Sequence, residues 1–336
     1  MPDVQRALHR IDEFQQRHRP LAFVYGVIKK FGDDNGGSLG ALLTFYGFLS
    51  LFPLLLVLVT VLGYVLHDNP SLQRDIVNSA VADLPIIGDQ IRKSVTSVRG
   101  NGIGLFVGIL VTFYGGLGVA NSAQDAMNRV WAVPISVRPG FIPRLVRSVA
   151  LIGILTLAIL GTTVLSRAGA GNANMSFGVR SVAWLGGLAF NVFLFALSFR
   201  VLTARKLTWN DVMPGAIIAG VGWEILQSIA TLFISHSLKG MSQTYGLFAV
   251  VIGLLLWIFL QARVVLYAAE VNIVRVEHLW PRSLVQPPLT DADRRAFELY
   301  ARTQERRRDS RATLHFDDDG DESDVQASDA PATAGE

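Results

Sequence analysis

The stretch Ser38-LGALLTFYGFLSLFPLLLVLVTVLGYV-Leu66 decides the fold, because it runs 29 residues without a charged side chain. As a helix it would be about 43 Å long, more than the roughly 30 Å hydrocarbon core of a bilayer requires. Tilt, or extension into the interfaces, absorbs the surplus. It is too long for a cleavable signal core. Pro53 sits near its middle, removes one backbone hydrogen bond and predicts a kink. The carbonyl freed at Leu49 is tolerated at that depth when neighbouring helices or water satisfy it.

Five further runs follow, at 102–120, 148–166, 181–199, 212–235 and 246–269. Up to residue 262 the six runs hold one acidic side chain, Glu224, and no basic one; Arg263 follows in the last. Overall 51% of the 336 residues are hydrophobic and 17% charged. An ordinary soluble domain has about 25% charged residues. That deficit leaves too little polar surface for a soluble globule and predicts an all-α integral membrane protein with six transmembrane helices. The chain has no cysteine, which excludes disulfide scaffolds, thiolate metal sites and cysteine nucleophiles.

Basic residues set the orientation. Of 30 Lys and Arg, 22 lie in 1–37, 121–147, 200–211 and beyond 269, and 7 lie in the alternate connections. Both termini are therefore expected in the cytoplasm. Residues 1–37 read as cytoplasmic amphipathic helices: Val4, Leu8, Ile11 and Phe14 recur at helical spacing, then Leu21, Val24, Val27, Ile28 and Phe31. The second is expected to lie in the membrane interface. The membrane domain spans 38–275. The outer loop 67–101 reads as two short amphipathic helices, lying on the outer leaflet or capping a cavity. A cytoplasmic linker with Pro287-Pro288 and a basic helix over 291–311 fill 276–316, and the acidic tail 317–336 is expected to be disordered.

Glycine marks the packing faces. Gly104 and Gly108 form a GxxxG pair, and Gly215, Ala219 and Gly222 line one side of the fifth run. That run follows Trp209-Asn210-Asp211, an interfacial aromatic with an N-cap.

Certain residues resemble a known family. Gly37 to Leu58, Ala126-Met-Asn-Arg-Val-Trp131, and the later set Trp209, Pro214-Gly215, Tyr245-Gly246, Leu256-Trp257 and Ala269-Glu270-Val271-Asn272 resemble the YihY/BrkB family of bacterial inner-membrane proteins over roughly 30–275. One departure is Ala268, where the family often has glycine; close packing there is expected to change. The resemblance implies a six-span, all-helical protein of the bacterial inner membrane. It implies little about chemistry, since members have been called virulence or serum-resistance factors, transporters and, misleadingly, ribonuclease BN.

The residues themselves argue against a nuclease. The six histidines show no ligand spacing, and no metal, phosphate-loop or triad motif occurs. The basic segments fit anionic lipid better than nucleic acid. No enzyme activity, cofactor or metal is expected. Attention turns to intramembrane polar groups. Glu224, with Gln227 a turn away, is costly in a bilayer unless neutral, paired or wet. It would pair with Arg263, or Arg263 would snorkel to the interface; helical rise puts the two about 9 Å apart in depth. Tyr46, Ser50 and Pro53 share a face; they would supply polar groups beside a broken backbone, or Ser50 would satisfy the backbone locally. Asn121, Asp125 and Asn128 share another, with Asp125 spaced to pair with Arg129, Trp131 as an interface anchor, and Glu270 and Asn272 able to join a cytoplasmic polar network. These features suit an exporter or transporter of a small solute or lipid-like molecule. The alternative is a non-transporting envelope protein that organises lipids or partners. Either reading admits a homo-oligomer.

Overall fold

A computed structural model describes residues 2–65, 102–170, 177–307 and 314. The outer-loop helices expected in 67–101 and the tail 317–336 lie outside the described residues, as do the side chains of Pro53, Gly104 and Gly108.

Among the described residues all regular structure is helical: α1 (Pro2–Arg17), α2 (Arg19–Asp33), α3 (Gly36–Val65), α4 (Gly102–Val130), a 3-10 turn (Ile135–Val137), α5 (Phe141–Ala170), α6 (Phe177–Leu202), α7 (Trp209–Val276) and α8 (Asp291–Thr303). The two N-terminal helices form as their periodicity predicts, with Pro20 in the first turn of α2 where its missing N–H costs nothing. α3 continues through Pro53 to Val65. α4 runs ten residues past the apolar run and carries Asn121, Asp125 and Asn128 on helix. α8 ends at Thr303, short of the basic helix expected to reach 311.

α7 is 68 residues of helical backbone. Straight, it would reach about 100 Å. Yet Gly215 N donates to Asn272 Oδ1 at 2.7 Å, and Arg275 Nη1 donates to the Asn210 carbonyl at 3.0 Å. A methyl group at Gly222 would sit 2.7 Å from Val264 Cγ1. These pairs run in opposite order along the chain, so the two arms lie antiparallel and the direction reverses between them. The fifth and sixth runs are thus the outgoing and returning arms of one hairpin. Its start differs from the expected cap: Thr208 is the N-cap, and Asp211, at the third helical position, accepts from Thr208 N at 2.8 Å.

The small-residue face predicted on the outgoing arm is the seam of this hairpin. A methyl group at Gly215 would lie 2.1 Å from the Ala268 carbonyl oxygen. Ala268 is fully buried, so at this contact Gly215 supplies the clearance that a glycine at 268 would have given. α3 closes on α4 by the same means, with Gly118 against the Tyr46 ring and Gly115 against Ser50.

Burial is uneven. Trp184–Leu202, Trp209–Ile229 and Val251–Val276 are long and apolar enough to cross a membrane, and Gly36–Leu51 is a shorter apolar segment. Along them large apolar side chains face outward, among them Phe45, Trp184, Ile225 and Leu256. Exposure on that scale marks a surface made for apolar surroundings. The packed core lies instead at one end, where α1, α2, the 131–140 and 203–208 connections and 277–303 meet. Trp131 is 1% exposed there, in the core and not at a lipid interface as expected. α2 turns Val27 and Phe31 into this core and leaves Leu21, Val24 and Ile28 outward, so its apolar residues serve two faces.

Candidate functional site

The packed end carries buried charge. Lys30 lies on the inward face of α2 between Val27 and Phe31, and Asp34 follows one turn on. The returning arm brings Glu270 to the same point. Lys30 is 0% exposed, Asp34 4% and Glu270 0%, so an ammonium and two carboxyls share a dry site. Lys30 Nζ donates to Asp34 and to the Val130 carbonyl at 3.3 Å, and lies 3.7 Å from Glu270 Oε2. The Tyr300 ring covers it, with Nζ 5.4 Å from the centroid. Burial holds the Asp34 carboxyl above its ordinary range, against the pull of Lys30. Neither Glu270 carboxyl oxygen has a hydrogen-bond partner among the described residues, so the Lys30 ammonium is its charged neighbour. One ammonium against two carboxyls leaves an excess negative charge that a low-dielectric site disfavours, in keeping with the raised Asp34 carboxyl.

A second knot fastens the C-terminal segment. Arg282, fully buried, donates through Nε to Asp293 Oδ1 at 2.5 Å and through Nη2 to Asp33 Oδ2 at 3.1 Å. Asp293 also accepts from Ser283 N at 3.0 Å, Ser283 Oγ at 2.6 Å and Lys29 Nζ at 3.1 Å. Burial alone would raise the Asp293 carboxyl; the bonds from Ser283, Arg282 and Thr290 outweigh it and hold the group far below the usual carboxylate range. Asp12 of α1 behaves alike, lowered against burial by the Leu284 N–H and by Gln15 and Gln16. Tyr300 donates to Asp33 at 2.8 Å, and burial with the nearby Asp33 and Asp34 pushes its phenol strongly up.

The residues singled out in the sequence take other partners than those expected. Asn121 and Asp125 both hold Arg144 of α5, at 2.8 and 2.6 Å, so Asp125 pairs between helices and not with Arg129. Asn128 Oδ1 accepts from Ala204 N at 2.7 Å and ties α4 to the 203–208 connection. Glu270 meets this region through Lys30 and the Val130 carbonyl, whereas Asn272 is spent on Gly215. Among the described residues they form four separate contacts and no single network.

Glu224 Oε1 accepts from Asn191 Nδ2 of α6 at 2.9 Å. Arg263 is not its partner. The seam pairs Gly222 with Val264, so both charges sit at nearly one depth, not the 9 Å apart that rise alone gave. Glu224 is two residues beyond its seam position and Arg263 one before its own, so at about 100° per residue each turns off the seam. Arg263 lies over Phe31, Phe259 and Tyr267, 5.6, 5.5 and 5.9 Å from their centroids. Gln227 is half-buried a turn beyond Glu224. Ser50 Oγ donates to the Gly47 carbonyl at 2.9 Å, the local alternative, and Tyr46 packs on Gly118.

Sequence reasoning passed over Lys30, Asp34, Asn191, Arg282 and Asp293. A signal existed for the first two. Lys30 and Asp34 stand one turn apart on the apolar stripe of α2, a poor place for solvated charges.

Apolar arms exposed along their length and a charged, closely packed end define an α-helical membrane protein with a polar cap. Residues 27–288 match the virulence factor BrkB family, and the chain belongs to that family. Relatives include the inner membrane protein YhjD of Escherichia coli, 25% identical over 76% of this chain and 81% of that protein. A Bacillus subtilis protein named ribonuclease-like, YfkH, is 23% identical over 75% of this chain and 94% of its own length. A UPF0761 membrane protein of Stenotrophomonas maltophilia is 27% identical over 78% of this chain and 62% of its own. No solved structure matches.

Proposed function

We propose that this inner-membrane protein crosses the bilayer six times, keeps both termini in the cytoplasm and transports a small solute or lipid-like molecule, with the Lys30–Asp34–Glu270 cluster as its cytoplasmic seal. The distribution of basic residues supports the orientation. So does the packing of α1 and α2 against 277–303, which puts the N-terminal helices and the segment after α7 at one end of the bundle. The buried cluster carries the transport reading. It joins α2, from the first half of the chain, to the returning arm of α7 through charges that are costly to bury and whose neutrality depends on one proton. In this reading the contact is closed with Asp34 protonated and opens when that proton leaves. The reading assigns no enzymatic step, cofactor, metal or nucleic acid to the chain. The word ribonuclease stays with the relative that bears it.

One observation favours the competing reading of a non-transporting, envelope-organising protein. Glu224 is held by Asn191 and Ser50 bonds locally, so these two polar groups of the arms are internally satisfied.

The deciding experiment compares metabolites and lipids of a deletion strain with those of strains carrying the wild-type chain or Glu270→Gln. A compound that accumulates on deletion, is cleared by the wild type and is not cleared by an equally expressed Glu270→Gln supports the sealed transporter. Indistinguishable profiles in all three strains overturn it. In proteoliposomes, Glu224→Gln at equal protein is expected to leave the pH dependence of flux unchanged, since Glu224 is not placed as the proton carrier.

A further inference from the structure

Arg263 is the only Lys or Arg within the six apolar runs of the sequence, and its surroundings are unusual. It lies 13 residues before the end of α7 at Val276, about 20 Å along the helix. Three aromatic rings, Phe31, Phe259 and Tyr267, pack around its guanidinium. Phe31 and Tyr267 stack on each other at 3.9 Å, which fixes two of these walls. Among the described residues no carboxylate, carbonyl or hydroxyl accepts from it: its recorded partners are the rings. The acids in reach of this arm are spent elsewhere, Glu224 on Asn191 and Glu270 at the Lys30 cluster. On α3, Gly40 approaches the stem, and a methyl group there would meet Arg263 Cγ at 3.6 Å and Phe259 at 3.4 Å.

Rings satisfy the face of a guanidinium and part of its charge. They accept none of its five in-plane N–H donors. A cation at membrane depth with unspent donors is costly, and the group that removes the cost is an anion with paired oxygens, which the planar fork meets bidentately. We propose that Arg263, braced by Phe31, Phe259 and Tyr267, is an anion-binding site for a phosphate-type group. The group is either a lipid headgroup phosphate or a free inorganic or organic phosphate. The site is independent of whether the protein transports, since a scaffold that holds anionic lipid needs it equally.

Purified protein in detergent is titrated with dioleoylphosphatidylglycerol, with dioleoylphosphatidylcholine as reference, and separately with inorganic phosphate. Native mass spectrometry reads lipid retention, and thermal unfolding reads phosphate binding. The wild type is expected to retain phosphatidylglycerol at least fivefold over phosphatidylcholine, or to be stabilised by phosphate. Arg263→Gln is expected to lose that preference. Loss confined to the lipid arm identifies a headgroup site, and loss in the phosphate arm a soluble anion. Arg263→Lys keeps the charge for folding but not the fork, and a threefold or greater weakening is expected. Lys206→Gln, an exposed cation in the 203–208 connection, is the control and should change nothing. Equal binding by the wild type and Arg263→Gln overturns the site; if Arg263→Gln does not fold, wild-type binding by Arg263→Lys overturns it.

Discussion

The capped end and the arms of this protein solve opposite problems. At the cap Lys30, Glu270, Arg282 and Asp293 are all 0% exposed and oppositely charged in pairs, Lys30 with Glu270 and Arg282 with Asp293, and Trp131, Phe199 and Ile273 are buried in the same packed end. Along the arms apolar side chains face outward, glycines let backbones touch, and polar groups meet in isolated pairs. The cap is held as a soluble protein is, by burial and directed charge. The arms rely on their surroundings and on shape. The contrast teaches that mutations of similar chemical size should act very differently in the two regions.

Arg282→Ala tests the cap hardest. It would take the buried guanidinium from Asp293, which keeps Lys29, Ser283 and Thr290, and remove half of the Asp33 contact; because Asp293 keeps these partners the cost falls toward the lower end of the roughly 3–5 kcal/mol for a buried pair broken from one side. Release of 277–303 is expected, read as rapid proteolysis of that segment while the arms stay protected.

Acid and base should also act on the cap first. Asp293 and Asp12 are held below their ordinary range, so their contribution is present above about pH 4 and is lost as pH falls through their native values. Asp34 is held above its range, so the folded state binds that proton more tightly and its contribution fades as pH rises from about 4 toward the raised value. Protection of 277–303 against pH should therefore peak in mildly acidic solution. Asp34→Asn should flatten the alkaline side; an unchanged profile would remove Asp34 from the account.

In the arms the larger effect is expected from Gly215→Ala. Its added carbon would collide with the Ala268 carbonyl and Asn272, and overpacking of this kind costs about 1–3 kcal/mol. Thermal unfolding in a fixed detergent measures it. Gly116→Ala, where nothing lies within 4 Å of the added carbon, should be neutral. Asn191→Leu should be milder, leaving Glu224 without its donor at a cost of about 1–2 kcal/mol. Glu224→Gln in that background should restore most of the loss, because a neutral amide needs the donor less. No recovery would show that Asn191 matters only for packing.

Much of this was legible one helix at a time. Charge-free runs located the arms, and Gly215, Ala219 and Gly222 at helical spacing marked the seam before the hairpin was seen. The failures share a cause. Depth alone set Glu224 and Arg263 about 9 Å apart and left pairing or snorkelling open, but each helix's rotation about its axis decides the partner, and here it turned both residues off the seam. Trp131 carried the usual mark of an interface anchor, yet the 131–140 connection folds under the cap and buries it.

Composition and periodicity by themselves determined that this chain is helical, membrane-embedded and charged mainly at one end, because those properties depend only on which residues are near in sequence. The tertiary structure alone decided that Lys30 would meet Glu270, 240 positions away, and that Arg263 would be left with rings for company. Such encounters depend on where whole helices cross and how they are turned, which is set by the summed packing of many side chains and is written in no local pattern.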